Sequence, residues 1–501
     1  MNPETLQRQQ RIALLYSGET FRSASSAWAQ TLADHFQRLE TRDSKVLNWS
    51  PPASSIPAAR KPLLKQPASQ SDADWLPEFT TLVETILANG QNLHHPRYIG
   101  HQVPASLPIA ALFDAIGSAT NQVMAIYEMG PWATAVERVM IETLGREIGF
   151  PEDDFSGLVT SGGSLANLTT LLTARNVAVG QSWQQGITDA SRLALVVQQD
   201  VHYCVTRAAG ILGIGTNQIV KIPVDDRRRM QVDALRQTLA DLQSAGRTVV
   251  AVVAGACATP IGAFDPLNEV ADACEEFGVW MHVDAAHGGA ALLSDHHRHL
   301  LDGLHRADSI VWDAHKMLFM PALCAFAFYR NREHRFTAFQ QDAPYLFDPS
   351  NPGMAEYDSG IQTIECTKRA AAFGLWGTWS LFGRQLFSDL VDVTFEMTHI
   401  LHDKLCLAPD FMAVHQPQCN IQAFRYMPDE IANWSPEQQG EFQLEVRKRV
   451  IHGGSAYIVP IKLEGVGALR ATVINPCTTP DDLDAMLDAV RCAGAELLSD
   501  R

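Results

Sequence analysis

The chain carries few charges for its length, and basic residues are the scarcer kind. Charged residues make up 19% of the 501 residues, and 39 Lys and Arg stand against 56 Asp and Glu, so the formal net charge is -17. An acidic surface repels phosphate backbones, so we expect no nucleic-acid partner. Hydrophobic residues make up 46% of the chain, a share typical of a folded globular protein and too high for a disordered one.

Features that mark several other classes of protein are also absent. No apolar run approaches the ~20 residues of a membrane span. The polar start MNPETLQRQQRIALLYSGE lacks the apolar core of a signal peptide. The nine cysteines are odd in number and have no paired spacing, and no CxxC occurs. This pattern is typical of reduced thiols, so we expect a cytoplasmic protein with no membrane partner, disulfide framework or bound metal.

The beginning of the chain is predicted to be a helical arm followed by a linker. Residues 1–50 have the apolar spacing of an amphipathic helix. Residues 51–72 are rich in Pro, Ala and Ser, which favours an extended linker running over a surface. A further helix is expected from Trp75 to Asn89. We therefore expect residues 1–100 to form a separate N-terminal segment.

The middle of the chain alternates short apolar runs with helical patterns. Runs that are apolar throughout predict strands buried on both faces, and helices between them predict a parallel α/β sheet. The runs are LALVV (193–197), QIVKIPV (218–224), VVAVVAG (249–255), VWMHVDAA (279–286) and SIVWDA (309–314). After Trp379 we expect a long helix, two β-like stretches and a closing helix from Pro480. The predicted domains are thus a large one over 101–380 and a small α+β one over 381–501.

Ligands of such sheets bind beyond the carboxyl ends of the strands. The first feature there is Ser161-Gly162-Gly163-Ser164, which opens a helical pattern. Free backbone N–H groups and the helix dipole at such a start favour a bound phosphate, although the same residues are also typical of a plain helix cap. The Gly-Lys-Ser/Thr of a nucleoside-triphosphate loop is missing, and the glycines of 210–215 have the wrong spacing for a dinucleotide fingerprint.

Three further features follow apolar strands. Asp284 follows the apolar strand VWMHV. Burying a carboxylate there costs free energy unless a cation, such as a protonated pyridine, pairs with it. The alternative is that Asp284 caps the strand end or forms a salt bridge there. Ala286 points to the same side and can present its methyl group to a ring. Lys316 follows the strand SIVW beside apolar residues, and we expect burial to lower its pKa. His202 follows another strand and is either a ring-stacking group or an ordinary core histidine.

Together these features resemble the group II pyridoxal-phosphate-dependent amino-acid decarboxylases, from roughly residue 94 to the end. The matching motifs are HPRYIGH (95–101), YEMGP (127–131), TSGGSLAN (160–167), HVDAAHGG (282–289), DAHK (313–316), DSGIQTIECTKR (358–369) and LRATVINPCTT (469–479). The resemblance implies an aspartate-aminotransferase-like, fold type I large domain with a mainly parallel sheet, an N-terminal helical segment and a small C-terminal α+β domain. It also implies pyridoxal 5'-phosphate as cofactor, a small amino acid as substrate, and a homodimer with shared active sites.

The resemblance further implies a role for each matching residue. Lys316 would link covalently to the cofactor, Asp284 would hold its pyridine nitrogen, and the substrate α-carboxylate would meet Arg470. The other predicted cofactor-binding residues are His202 and Ala286 on the two ring faces, Ser161, Gly162, Gly163 and Ser164 at the phosphate, Thr259 beside His202, and Asp313 and His315 of the lysine motif.

This chain departs from the family pattern at two places. Only Thr259 of the usual Gly-Thr-Thr is present, because the chain reads Cys257-Ala258-Thr259. The loop tyrosine of the glutamate-decarboxylase branch is replaced by Gly353, and Tyr357 is the nearest substitute, so we expect Tyr357 to be the catalytic tyrosine. The start of the match resembles the diaminobutyrate branch and the loop resembles the glutamate branch, so the expected substrate is an acidic or a diamino acid.

Other functions remain open from the sequence. Aldehyde synthases and other lyases use the same scaffold, and a member without catalysis is a further alternative. His282-Val-Asp284 with a distant histidine also has the pattern of a non-haem iron oxygenase, which would leave Lys316 unexplained. Asp295, His296, His297 and His299 have the composition of a metal site, although an exposed polar helix is the favoured interpretation.

Overall fold

The computed structural model describes residues 2–64, 75–339 and 356–500. Its helices are α1 (Pro3–Leu15), α2 (Gly18–Glu40), α3 (Pro52–Leu64), α4 (Trp75–Asn89), α5 (Pro108–Ala119), α6 (Pro131–Ile148), α7 (Gly163–Ala178), α8 (Ser182–Gln185), α9 (Tyr203–Ile211), α10 (Val232–Ser244), α11 (Leu267–Phe277), α12 (Phe373–Leu407), α13 (Pro436–Gly453) and α14 (Pro480–Ser499). Within these ranges no helix is both long and apolar enough to cross a membrane.

The strands form one large sheet and two small ones. They are β1 (Val123–Met124), β2 (Ser156–Thr160), β3 (Leu193–Gln198), β4 (Ile219–Ile222), β5 (Thr248–Ala258), β6 (Ala263–Phe264), β7 (Met281–Asp284), β8 (Ser309–Asp313), β9 (Ala325–Tyr329), β10 (Lys368–Arg369), β11 (Phe411–Ala413), β12 (Ile421–Tyr426), β13 (Val459–Leu463) and β14 (Val466–Thr472). The large sheet has the order β2-β9-β8-β7-β5-β3-β4 with β6 beside β5, and a four-stranded sheet has the order β11-β12-β14-β13. The third sheet pairs β1 with β10.

The large sheet is mainly parallel, as the apolar runs predict. Each of the five runs became a strand, and these strands are neighbours in the order β8-β7-β5-β3-β4, all paired in parallel. β9 runs antiparallel to both β8 and β2, and the two-residue β6 runs antiparallel to β5. The predicted parallel α/β architecture is therefore confirmed.

The core lies on both faces of this sheet because neighbouring residues of one strand point to opposite sides. Val196 and Val252 pack into one hydrophobic cluster, whereas Leu195 and Val253 pack into another. All four side chains are buried. A strand covered on both faces needs apolar residues at every position, which explains the unbroken runs in the sequence.

The chain divides into two compact units. One comprises Met1–His101, Tyr426–Leu469 and Cys477–Arg501, and the other comprises Gln102–Arg425 and Arg470–Pro476. We call the second one the sheet unit because it contains the large sheet. Each unit includes segments from distant parts of the sequence, which a contiguous reading cannot anticipate. The predicted division at 100 and 380 stays a prediction.

Two expectations for the beginning of the chain need correction. The predicted single helix over 1–50 is two helices, because Ser17 caps a new start by accepting the backbone N–H of Thr20 at 3.1 Å. The predicted extended linker over 51–72 is helical over Pro52–Leu64. Ala, Leu, Arg and Lys in this stretch favour a helix enough to outweigh Pro57 and Pro62. The rest of the linker lies outside the described residues. The helix from Trp75 to Asn89 is confirmed.

A buried ion pair joins three elements of the sheet unit. Lys368 of β10 donates from Nζ to Glu137 Oε1 of α6 at 2.6 Å and to the Val159 carbonyl of β2 at 2.7 Å. Glu137 Oε1 also accepts the Val159 N–H at 3.1 Å. The two charged side chains are only 4% and 8% exposed. Removing one partner of such a pair leaves an uncompensated buried charge.

We therefore expect Lys368→Met to destabilise the protein by about 3–5 kcal/mol. Urea unfolding followed by intrinsic fluorescence measures the change. The matched control is Lys448→Met, because Lys448 pairs with Glu445 at an exposed site, where an ion pair contributes little. Adding Glu137→Leu to Lys368→Met should recover most of the loss. Equal effects of the two lysine substitutions would contradict the argument.

Candidate active site

The predicted site residues follow strands that end at one edge of the large sheet. β7 ends at Asp284 and β8 at Asp313, and these two strands pair in parallel. β2 and β8 both run antiparallel to β9 and therefore run in the same direction. The structure thus places Ser161, His202, Asp284 and Lys316 after the carboxyl ends of four strands of one sheet, where α/β proteins bind ligands.

Lys316 is held by a carboxylate of its own motif. Its Nζ lies 3.3 Å from Asp313 Oδ2, and the Asp313 side chain is buried. Burial lowers the pKa of Lys316, but the negative charges of Asp313 and Asp284 outweigh burial, so the pKa lies above its ordinary value. The prediction that burial lowers the pKa of Lys316 is therefore wrong for the chain without its cofactor. The two carboxylates that surround the lysine are the physical reason.

His315 lies on the other side of Asp313. Its Nε2 is 3.5 Å from Asp313 Oδ2, and its Nδ1 contacts the backbone of Cys324, 2.8 Å from the carbonyl oxygen and 3.2 Å from the amide nitrogen. The Asp313 carboxylate thus lies between a lysine and a histidine. This arrangement fixes the motif 313–316 at the end of β8.

His202 and Asp284 have well-defined hydrogen bonds. His202 caps α9, because its Nδ1 accepts the Cys204 N–H at 3.3 Å. A neutral ring with an accepting Nδ1 carries its proton on Nε2. Burial, aided by the charge of Lys316, lowers the pKa of His202 against the opposing effect of Asp284. Asp284 Oδ1 accepts the Ala286 N–H at 3.2 Å, which keeps the turn after β7 tight.

The Ser161–Ser164 segment forms the start of α7. Gly162 adopts φ +123°, and α7 has no side-chain cap. A Cβ atom at Gly163 would lie 2.7 Å from Asp313 Oδ2, so only glycine allows this close approach. Ser164 is exposed. The uncapped N–H groups of a 16-residue helix, next to serine hydroxyls, are suitable donors for a phosphate.

Arg470 and Thr259 contact each other directly. Arg470 is buried, and its Nη1 donates to the Thr259 carbonyl at 2.8 Å. The pKa of the buried His287 is lowered to about 3, mainly by burial, and the positive charges of Lys316 and Arg470 contribute to the lowering. His287 Nε2 donates to Asn420 Oδ1 at 2.8 Å. The predicted lysine and arginine therefore lie close enough to affect the same side chain.

Three residues of this region, His287, Glu365 and Asn420, were not predicted as site residues from the sequence. His287 lies in the motif HVDAAHGG, so that motif was the signal for it. Glu365 lies in DSGIQTIECTKR, where it accepts a hydrogen bond from Ser161 Oγ at 2.7 Å. Asn420 belongs to no motif, and the sequence contains no signal that relates it to His287.

Tyr357 lies elsewhere in the sheet unit. It lines a cavity of about 430 Å³ together with Tyr127 and Arg138, and its ring centroid is 5.8 Å from that of Tyr127. Within the described part of the chain, neither Lys316 nor Asp284 lines this cavity. The cavity beside Tyr357 is thus a different place from the surroundings of the Lys316 motif. Gly353, whose place Tyr357 was expected to take over, lies outside the described residues.

His282 has both ring nitrogens engaged in the core. Its Nδ1 is 2.8 Å from Ser309 Oγ, and its Nε2 is 2.9 Å from Asn167 Oδ1. The chain of hydrogen bonds continues from Trp280 Nε1 to Ser309 Oγ at 2.9 Å and from Asn167 Nδ2 to the Gly163 carbonyl at 2.9 Å. Burial lowers the pKa of His282 to about 4. With neither nitrogen available as a ligand, the iron-site interpretation is wrong.

The histidine-rich segment 295–299 is exposed in part and contains the start of a short 3-10 helix, Arg298–Leu301. Asp295 accepts a hydrogen bond from Arg384 at 3.1 Å, and His299 Nδ1 donates to the His296 carbonyl at 3.0 Å. In the three described ranges, no group of three or more His, Cys, Asp and Glu is arranged to hold a metal. The interpretation as an exposed polar segment agrees with these contacts.

A lysine beside a buried carboxylate, a second carboxylate at the next strand end and an uncapped helix start define the class of a pyridoxal-phosphate enzyme on a fold type I scaffold. Comparison with known proteins identifies the family. Residues 57–427 match the family described as "Pyridoxal-dependent decarboxylase conserved domain". The chain belongs to this family and is a pyridoxal-phosphate-dependent amino-acid decarboxylase, a carboxy-lyase.

Relatives and solved structures agree over nearly the whole chain. The acidic amino acid decarboxylase GADL1 of Mus musculus is 28% identical, with 91% of this chain and 82% of the relative aligned. The L-2,4-diaminobutyrate decarboxylase of Acinetobacter baumannii is 27% identical, with 94% and 95% aligned. The aromatic-L-amino-acid decarboxylase of Bacillus atrophaeus is 28% identical, with 97% of each chain aligned. The crystal structure of mouse CSAD superposes with a TM-score of 0.86 at 25% identity, covering 95% of this chain and 99% of that one.

The residues at the sheet edge fit the cofactor of this family. The start of α7 offers N–H groups and hydroxyls to a phosphate, Asp284 offers a carboxylate to a pyridine nitrogen, and Lys316 offers the amine. Pyridoxal phosphate, when bound, supplies the electron sink that takes up the bonding electrons as CO₂ leaves.

We expect Asp313→Asn to lower the pKa of Lys316, because a neutral amide stabilises the ammonium less than a carboxylate does. In cofactor-free protein, the rate at which an acylating reagent modifies Lys316 should therefore reach half of its maximum at a lower pH in the variant than in the wild type. Peptide mass spectrometry across a pH series measures this midpoint. Asp308→Asn is the control, because Asp308 pairs with Arg330. An unchanged or higher midpoint in Asp313→Asn would show that another group sets the pKa.

Proposed function

We propose that the enzyme decarboxylates an L-amino acid with a charged side chain, of the glutamate or 2,4-diaminobutyrate type, to the amine and CO₂. The observation that carries this proposal is the set of charged groups around the lysine. Lys316 and Arg470 both affect His287, and Asp284 and Asp313 both affect Lys316. These groups serve the cofactor and the α-carboxylate and therefore support an amino acid as substrate, and the charge on its side chain is proposed from the names of the relatives.

Arg470 is the group we assign to the substrate α-carboxylate. A guanidinium presents a planar fork of donors, which matches the two oxygens of a carboxylate. Its hydrogen bond to the Thr259 carbonyl fixes the direction of that fork. A carboxylate held in one direction can be oriented for bond cleavage, whereas a freely rotating one cannot.

His202 is the group we assign to the cofactor ring and to proton handling near the reacting carbon. Because burial keeps its pKa low, the ring is neutral at pH 7 and carries its proton on Nε2. The bidentate pair of Arg228 with Asp200, at 2.6 and 2.7 Å, holds the segment that leads into His202. The histidine is thus supported in one orientation. Asp284 is the group we assign to the pyridine nitrogen, and Ser161, Gly162, Gly163 and Ser164 are assigned to the phosphate.

The names of the relatives support the charged-substrate proposal without deciding between its two forms. One relative is named for acidic amino acids and another for L-2,4-diaminobutyrate. A third is named for aromatic amino acids, at a similar identity. Substrate choice therefore has to be measured.

We propose further that two copies form a cytoplasmic homodimer with shared active sites. Leu112, Ile116, Trp132 and Val139 of α5 and α6 are each 47–63% exposed, which is typical of a surface that meets a partner. Lys316 does not line the cavity that Tyr357 forms with Tyr127 and Arg138, so we propose that the tyrosine reaches the lysine of a second copy. The nine free thiols suit a reducing compartment.

A panel of amino acids tests the substrate proposal. We expect CO₂ release to show the highest kcat/KM for a substrate with a charged side chain, and we expect amine as the product. Arg470→Lys should lower kcat/KM about tenfold or more on every substrate, because a bidentate contact is lost. A preference for tyrosine or tryptophan would overturn the charged-substrate assignment. Aldehyde with ammonia and peroxide as products would support the aldehyde-synthase alternative instead.

Mixing two inactive variants tests whether Tyr357 acts across the dimer. Tyr357→Phe should slow amine formation by ~10²–10⁴ as a lost general acid while cofactor binding is kept. Lys316→Ala should be inactive because it lacks the amine. In a mixed dimer one of the two sites has both residues, so refolding the variants together at equal amounts should restore about a quarter of the wild-type rate.

The same mixture separates this proposal from a role within one copy. If Tyr357 acts on the lysine of its own chain, mixed dimers contain no intact site and no activity returns. If Tyr357→Phe alone keeps full activity, the proton comes from another group, with His202 the next to test. Co-purification of the untagged Tyr357→Phe variant with an affinity-tagged Lys316→Ala variant is the control for the formation of mixed dimers.

A further inference from the structure

A carboxylate contacts the segment that we assign to the cofactor phosphate. Ser161 Oγ donates to Glu365 Oε1 at 2.7 Å. The other oxygen of Glu365, Oε2, is buried and has no hydrogen-bond partner among the described residues. The backbone N–H of Glu365 donates to Thr363 Oγ1 at 3.3 Å, which fixes the turn that presents the side chain. The acid is thus held at the start of α7 with half of its hydrogen-bonding capacity unused.

Glu365 differs from the nearby Asp313 in that it has no positively charged partner among the described residues. Asp313, the other carboxylate at this helix start, lies within 3.5 Å of both Lys316 and His315. Lys368, three residues after Glu365, is engaged with Glu137 instead. In the described ranges, the Glu365 side chain accepts a hydrogen bond from a neutral hydroxyl and forms no ion pair. Glu365 is partly exposed, and its carboxylate therefore remains available to interact with a second charged group.

We propose that Glu365 is a positioning residue that competes with the cofactor phosphate for the Ser161 hydroxyl and thereby weakens cofactor binding. The proposal rests on the assignment of Ser161 to the phosphate. A phosphate that approaches α7 has to take the hydroxyl from Glu365 and also meets a charge of its own sign. The chain therefore holds its cofactor less tightly than the helix start and Lys316 alone would allow, and it exchanges cofactor more readily.

Glu365→Gln tests the proposal because the amide keeps the shape and removes the charge. Its carbonyl can still accept from Ser161, and its amino group can donate to a phosphate. We expect the dissociation constant of pyridoxal 5'-phosphate to fall about ten- to hundredfold, the range of one charged hydrogen bond. Titration of cofactor-free protein, followed by the change in absorbance, measures it. The rate of cofactor release into a scavenger should fall as well.

Pyridoxal without the phosphate is the internal control. Its affinity should not change in Glu365→Gln, because the competition concerns only the phosphate end. Glu269→Gln is the matched control variant, since Glu269 is an exposed glutamate on α11 of the same unit. If Glu365→Gln does not fold, Glu365→Ala provides the second variant and should also tighten the binding of the phosphorylated form.

The outcomes separate this inference from the assignment on which it rests. Ser161→Ala should weaken pyridoxal 5'-phosphate binding, and Glu365→Gln should have less effect in the Ser161→Ala background than alone. If Ser161→Ala has no effect, the assignment of the Ser161 hydroxyl to the phosphate fails. If Ser161→Ala weakens binding but Glu365→Gln leaves it unchanged or weakens it, the segment binds phosphate and the competition is wrong.

Discussion

The parallel pairing of β3, β5, β7 and β8 is the constraint on which the whole site depends. The carboxyl ends of parallel strands lie at the same edge of the sheet. Residues that follow these strands therefore come together although they are far apart in the sequence. The pairing persists because these strands are covered on both faces by apolar side chains. Asp284 and Lys316 stand at this edge because the strands before them end there. A change in the register between β7 and β8 would move Asp284 away from Lys316.

Much of this architecture can be predicted because burial on both faces leaves a simple trace in the sequence. Each of the five apolar runs became a strand, and Lys316 and Asp284 follow two of them. Other features leave no such trace. The pKa of Lys316 depends on two carboxylates, one of them from another strand, so burial alone gave the wrong direction. The contact between Ser161 and Glu365 joins residues 204 positions apart.

Local composition also gave a wrong prediction where residues that favour an extended chain and residues that favour a helix occur together. The segment after residue 51 contains prolines, which favour an extended chain, and also alanines and leucines, which favour a helix. Its helix Pro52–Leu64 has no buried residue, so tertiary packing gave no pattern from which to recognise it. The helix α13 and the strand β13 were likewise not anticipated between the two β-like stretches predicted near the C-terminus. Position in a domain, rather than propensity, decides such segments.

The hydrogen bonds around His282 run in a single direction. Asn167 Oδ1 can only accept, so the proton of the neutral imidazole is on Nε2, and Nδ1 accepts from the Ser309 hydroxyl. The indole N–H of Trp280 points the same way, and the Asn167 amide then donates to the Gly163 carbonyl. Four bond dipoles are therefore aligned head to tail, from the amino end of the strands toward the first turn of α7. This alignment locks one tautomer, so His282 transmits polarity to that turn but has no proton to exchange with it.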